Sequence, residues 1–221
     1  MKQLLLLLLA SMLLAGSCTK YHPKDIRQVL PIMPVSITPL KDTFNLNDTL
    51  IFEIDIPETL KDSLSGQLIT FINFNFASAL RFRKLVDPNK SIGDQQSNGT
   101  DYQIISTGIG TIQSPPTTTF ANFNLQYQNT RYKISSKLVV KNSGVMTISP
   151  FYLAPAQAQS ATMGTNNNGE TIYATLDQIK YFINNGQTNF HIYKQHCKEV
   201  AFPNDSDNWI ENTGTFTFVV R

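Results

Sequence analysis

Apolar and polar positions alternate along much of this chain with a period of two. Between Thr49 and Pro57, Leu50, Phe52, Ile54 and Ile56 fall on one face, and Ile51, Glu53 and Asp55 on the other. That period predicts a half-buried β-strand, stopped at Pro57. Between Gly66 and Ala77 the same rule places Leu68, Thr70, Ile72, Phe74 and Phe76 on one side, with Phe71, Asn73 and Asn75 on the other. Phe123, Leu125 and Tyr127 alternate with Asn124, Gln126 and Gln128, and Tyr132, Ile134, Leu138 and Val140 share a face. Residues 144–149 and 189–194 are shorter strand candidates. Pro34 to Leu40 reads as an edge strand, because its bounding prolines cannot donate to a central ladder. The last strand ends at Val220, with Phe216, Phe218 and Val220 inward and Thr215, Thr217 and Val219 outward.

One segment carries a helical signal. Thr175-Leu176-Asp177-Gln178 fits a capping box. Leu176, Ile179, Phe182 and Ile183 then form a helical stripe, with Gly186 placed as a stop. This predicts a helix near 176–185 covering one end of the domain. Turn signals punctuate the rest: Asp87-Pro88-Asn89, Ser97-Asn98-Gly99, Ser114-Pro115-Pro116, Asn142-Ser143-Gly144 and Asn166 to Gly169. Many short strands separated this way predict an all-β fold, an antiparallel β-sandwich of immunoglobulin-like or related type with one short helix.

The N-terminus departs from this pattern. Lys2 is followed by an apolar run, Leu4 to Leu14, broken only by Ala10, Ser11 and Met12. A membrane-spanning helix needs about 20 apolar residues, so this run is too short to span and fits the apolar region of a secretory signal. Leu14-Ala15-Gly16-Ser17-Cys18 closes it. The segment resembles a bacterial lipoprotein signal peptide with its lipobox, in the looser form used by relatives of Bacteroides and Flavobacterium. Ala15 stands where that family prefers Leu. The resemblance implies cleavage after Ser17 and a diacylglycerol thioether and N-acyl chain on Cys18. It implies residues 1–17 as signal peptide and says nothing of how the rest folds. His22-Pro23, scattered charges and Pro31 read as a tether, so that 18–33 is the lipidated N-terminus and tether. The strand pattern reads as a single β-sandwich domain over 34–221. The resemblance also implies an outer-membrane location, and since Thr19 to Asp25 lacks the acidic cluster of surface-exported relatives, the periplasmic side is favoured.

Charge narrows the function classes. Lys plus Arg number 18 and Asp plus Glu 16, a net charge of +2 in 221 residues. There is no basic footprint for nucleic acid. With Cys18 lipidated, Cys197 stands alone, and its neighbours His196 and Lys198 make a reactive thiol the alternative to a buried strand-end cysteine.

Catalytic and ligand motifs are sparse. Gly108-Ile109-Gly110 reads as a bulge or turn rather than a dinucleotide loop. His191 and His196, five apart on a strand, would point to opposite faces, which makes no metal clamp. Asp205 and Asp207 flank Ser206 as calcium-type oxygen donors, with an ordinary turn as the alternative. Glu53 and Asp55 share a strand face as solvated charges. Trp209, the single tryptophan, is a candidate ligand platform with Tyr193 and Phe71, or else a plug of the core. Asp48-Thr49-Leu50 and Asp62-Ser63-Leu64 look like the short O-glycosylation motif of Bacteroides-type bacteria, with Thr49 and Ser63 as acceptors.

These features predict a non-enzymatic envelope module with no cofactor. It would be held at the membrane by its lipid, with envelope proteins or glycans as partners. The alternatives are a glycan-binding lipoprotein using Trp209 and a hydrolase with dispersed catalytic residues.

Overall fold

The computed structural model describes residues 26–95, 99–113, 120–153, 160–165, 171–176, 178–198 and 209–221. The leader, Cys18, Asp205 and Asp207 lie outside these. Strands are numbered in chain order. One six-stranded sheet runs β3 (Thr43–Phe44), β17 (Phe216–Val220), β13 (Gly144–Tyr152), β7 (Ser78–Leu85), β10 (Phe120–Asn124) and β9 (Thr111–Gln113). A second runs β11 (Gln126–Gln128), β12 (Arg131–Val140), β4 (Thr49–Pro57), β2 (Ile32–Thr38) and β16 (Lys180–Ile183), and β8 (Tyr102–Ile109) also pairs with β12. A third sheet runs β1 (Ile26–Val29), β15 (Thr171–Leu176), β14 (Ser160–Thr165), β6 (Leu68–Thr70) and β5 (Thr59–Lys61). Two short helices follow late in the chain, α1 (Phe190–His196) and α2 (Trp209–Asn212). The fold is an all-β sandwich with mixed sheets.

The two larger sheets meet face to face. Phe52 on β4 meets Phe123 on β10 edge-on at 5.5 Å, and Phe82 on β7 lies 4.4 Å from Tyr102 on β8. Residues of the third sheet, among them Ile69, Ala174 and Leu176, join the same buried cluster. The alternation in β4 and β12 is realised as read. Leu50, Phe52, Ile54 and Ile56 are buried, and Ile54 and Ile56 face Ile134 and Tyr132 across the ladder. Gly110 follows the β8 edge with φ +69, and a Cβ there would sit 2.9 Å from the carbonyl oxygens of Asn124 and Lys133. The turn therefore requires glycine.

Several expectations are corrected. The segment 176–185 is not a helix: β15 ends at Leu176, and Lys180–Ile183 is a strand parallel to β2. Ile179, Tyr181 and Ile183 are all buried, a period of two that Tyr181 settles against the helical stripe. The Asn184 side chain then continues the ladder, accepting from the Ile37 N–H at 2.8 Å and donating to its carbonyl at 2.9 Å. The helix lies instead at 190–196, where alternation predicted a strand. Its buried residues are Ile192 and Tyr193, and Phe190 and Tyr193, three apart, stack at 5.6 Å as a helix allows. β2 is no edge strand, since it sits between β4 and β16. The tether boundary at residue 33 is also too late, because Ile26–Val29 pairs with β15 and Met33 is fully buried. The sandwich is not purely antiparallel: β1, β2 and β3 pair in parallel with β15, β16 and β17.

Alternation also fails between Gly66 and Ala77. Leu68 is 64% exposed and Ile72 70%, while Phe71, Phe74 and Phe76 are buried. Only Leu68–Thr70 is a strand. Tyr132 imposes the loop that follows. Its hydroxyl accepts from the Phe74 N–H at 2.6 Å and donates to the Phe71 carbonyl at 2.8 Å. The phenylalanines close around it, Phe76 edge-on at 4.9 Å. The expected strand around Phe123 and Tyr127 splits at Leu125, with β10 in one large sheet and β11 in the other.

The last strand is interior, between β13 and β3, with Phe216, Phe218 and Val220 in the core. Its other face is not wet. Thr217 is 0% exposed, and its Oγ1 has no hydrogen-bond partner. Phe218→Ala is expected to cost about 3–5 kcal/mol, whereas Thr217→Val, which removes only an unpaired hydroxyl, changes stability by less than about 1 kcal/mol or raises it. Chemical denaturation of the full chain measures both.

Asp62 ties the start of the chain to the turn between β5 and β6. Its carboxylate accepts from the Leu30 N–H at 2.8 Å, the Ser65 N–H at 2.9 Å and the Ser65 hydroxyl at 2.6 Å. Burial raises its pKa, but these bonds and one from the Leu64 backbone outweigh that and hold it below the ordinary value. A carboxylate with a depressed folded pKa contributes stability above its unfolded pKa and loses it as pH falls through the folded one. Asp62→Ala is therefore expected to cost about 1–3 kcal/mol at neutral pH. The gap between variant and parent should close in denaturation curves recorded below the unfolded pKa, near 3.9.

Candidate functional site

A larger, more open hollow of about 440 Å³ lies over β2 and β4 and is lined in part by Glu53 and Asp55; a smaller, more enclosed cavity forms where two ladders end unevenly. β13 continues to Tyr152, but β17 pairs only with Gly144–Ile148. Ahead of β17 the chain turns away at Gly214 and Thr215 toward α2. Thr215 Oγ1 donates to the Ile210 carbonyl at 2.8 Å and shares a hydrogen bond with Ser149 Oγ at 2.9 Å. The gap left beside β13 is about 210 Å³, lined by Pro150, Phe151 and Tyr152, by Ile179 and Tyr181, and by Ile210. The lining is mostly apolar. An apolar cavity of about 150 Å³ already takes benzene, so this one has room for a single ring or aliphatic side chain.

What it offers a ligand is apolar contact. The Tyr181 hydroxyl pairs with Ser78 Oγ at 2.7 Å, and burial pushes its pKa up, so it stays a neutral phenol. The lining residues include no carboxylate, imidazole or thiol. On the outer side of β13, the Arg81 guanidinium carbon stands 4.4 Å from the Phe151 ring centroid, and Phe120 meets Phe151 edge-on at 5.9 Å.

The residues singled out from sequence do not converge here. Tyr193 lies on α1, not on the polar side of a strand, and is 0% exposed. It donates to Glu211 Oε1 at 2.8 Å, so it forms no ligand surface. Phe71 is likewise buried. Trp209 opens α2. Glu53 and Asp55 sit on the outer face of β4, engaged structurally. Ser135 Oγ donates to Glu53 at 3.2 Å, and Arg131 and Lys133 reach Asp55 at 2.6 and 3.3 Å. Slight burial raises the Asp55 pKa, but these two cations outweigh it and leave it lowered. Thr49 is exposed at the start of β4, and Ser63 is half-buried in the turn held by Asp62. His191 and His196 fall on α1, where His191 stands 3.6 Å from Asp42. Among the described residues no three His, Cys, Asp or Glu side chains cluster as metal ligands.

Sequence reasoning missed Arg81, Phe151 and Ile179. The signal for the first was present: Leu80-Arg81-Phe82-Arg83 alternates with period two. The cavity had none, because it arises from the unequal lengths of two paired strands.

Comparison with known proteins adds little. No family model matches the chain, and no curated protein does. The human F-spondin reeler domain superposes with a TM-score of 0.32 at 10% identity, over 73% of this chain and 94% of that one. A type II cohesin domain from the cellulosome of Acetivibrio cellulolyticus gives 0.30 at 13%, over 66% and 96%. The CupB6 tip adhesin of Pseudomonas aeruginosa gives 0.25 at 14%, over 71% and 44%. Superpositions this loose carry no functional argument.

Cys197 is buried beneath α1, with its Sγ 3.4 Å from the Lys90 carbonyl and 3.9 Å from Gln95 Nε2. Burial pushes the thiol pKa up, and contacts with Tyr193 and Gln95 only partly offset it. In a Cys18→Ala chain, Ellman's reagent at pH 8 should therefore modify Cys197 only as fast as the protein opens, and at once in denaturant. Rapid modification of the native chain would restore the reactive-thiol reading.

Proposed function

We propose that this chain is a lipid-anchored envelope protein whose sandwich acts as a binding or structural module rather than an enzyme. The observation that carries the reading is the leader itself, Lys2, the apolar run Leu4 to Leu14, and Ala15-Gly16-Ser17-Cys18. Cys18 is the lipidated residue and the outer membrane the destination, with the domain toward the periplasm. Two or more acyl chains make a stable anchor, whereas one chain binds only marginally. Among the described residues no helix is long and apolar enough to cross a membrane.

The non-enzymatic part is supported by the cavity. Its lining has room for a small apolar group and supplies no acid or base poised near neutral pH. The paired carboxylates are occupied by Ser135, Arg131 and Lys133. The glycan-binding version rests on Trp209, and Tyr193, which was to extend that platform, is buried.

In detergent phase separation of cells expressing the full chain, the parent should enter the detergent phase and incorporate radiolabelled palmitate. Cys18→Ala should do neither and remain in the aqueous phase. Partition of Cys18→Ala with the detergent would refute the anchor.

A further inference from the structure

Strand β7 reads Ser-Ala-Leu-Arg-Phe-Arg-Lys-Leu. Alternate residues share a face. Leu80 and Phe82 enter the core, so Arg81 and Arg83 emerge together on the other side, both half-buried. Arg81 faces Phe120 on β10 and Ser149 on β13, and Arg83 faces Thr147. The Phe151 ring supports the Arg81 guanidinium at 4.4 Å and is braced by Phe120. The ionisable groups acting on Arg83 are Arg81, the Tyr193 phenol and the Cys197 thiol. The buried Glu211 carboxylate stands beyond them, accepting from the Tyr193 hydroxyl. Burial keeps the phenol and the thiol in their neutral forms at pH 7.

Among the described residues no carboxylate pairs with either arginine. Neither guanidinium makes an ion pair or a hydrogen bond with the protein among the described residues. Each guanidinium carries five N–H donors in a fixed fork. Burying charge without a partner opposes folding. Two like charges on one face add to that cost. Burial and the neighbouring Arg81 push the Arg83 pKa down to about 10, still far above neutral, so both cations persist. Beyond the contact of Arg81 with the Phe151 ring, folding gains little from this arrangement that an apolar side chain of similar length would not supply. Groups left uncompensated in this way mark binding sites more often than scaffolding.

We propose that Arg81 and Arg83 form a binding site for an oxyanion, a carboxylate or phosphate group that takes their free donors. Phe151 fixes the first guanidinium before the ligand arrives, which lowers the ordering cost of binding. Planar forks also suit oxyanions better than ammonium groups do. The site does not depend on whether Cys18 is lipidated.

Full-length chain in nonionic detergent is titrated with sodium phosphate and, separately, with citrate, the ionic strength being held constant with chloride. Thermal unfolding is followed throughout. At least one anion should raise the midpoint saturably, with half-saturation at millimolar concentration or below, and the more effective one identifies the oxyanion. Arg83→Met should abolish the rise, whereas Lys137→Gln, an exposed cation on β12, should keep it. In chloride alone, Arg83→Met should melt about 2–4 °C above the parent, because an unpaired buried charge has gone. A supporting structural role would give the opposite sign. The proposal fails if neither anion acts saturably on the parent, if Arg83→Met responds equally, or if that variant melts lower in chloride.

Discussion

The sheet built on β7, β13 and β17 is buried on both faces, and that constraint organises the molecule. One face, with Phe82, Ile148, Phe216 and Phe218, packs on the second large sheet. The other, with Leu85 and Val145, lies under Tyr193 of α1 and Cys197 just beyond it. Sheets covered on both sides lose the apolar-in, polar-out alternation of a half-wet sheet. Here the loss takes a polar form: Thr147 and Thr217 are buried opposite one another, each with an unpaired hydroxyl. The cover is incomplete, and its margins produce the two features of interest. Where β17 stops pairing, a cavity opens. On the same outer face as Thr147, the two arginines stay half in water.

Legibility followed the number of wet faces. β4 keeps its charged residues in solvent, and its pattern could be read directly. β12 was legible through Tyr132, Ile134, Leu138 and Val140, although Ser136 is buried on that same side. β17 was legible for its inner face and misleading for its outer one, because nothing local announces that α1 will cover Thr217. The segment 176–185 satisfied both periods at once. Leu176, Ile179 and Ile183 fit a helix, while Ile179, Tyr181 and Ile183 fit a strand, and the free edge of β2 decided between them. Tertiary pairing overrode a local capping signal.

The aromatic stretch after Thr70 shows another limit. Phe71, Phe74 and Phe76 are all buried, yet not by alternation. They gather around one distant tyrosine, Tyr132, whose hydroxyl fixes the backbone between them. For the site, residue identity was visible and circumstance was not. Arg81 and Arg83 stand two apart in plain sequence, but that no described carboxylate pairs with them is a property of the packed molecule. Tyr193 was misplaced because its element was.

The three parallel pairings carry a consequence for how the chain comes into being. The first three strands bond to the last three in matching order, β1 to β15, β2 to β16 and β3 to β17. The Ile37–Asn184 contact alone joins residues 147 apart. Pairings of such sequence separation form slowly, since a long loop must close before they contribute. β2 can meet β4 early, but its second neighbour and the parallel partners of β1 and β3 lie far downstream. The three parallel ladders therefore stay open until β15, β16 and β17 have been made, and a pore that takes the N-terminus first would meet β1 and β3 still unpaired.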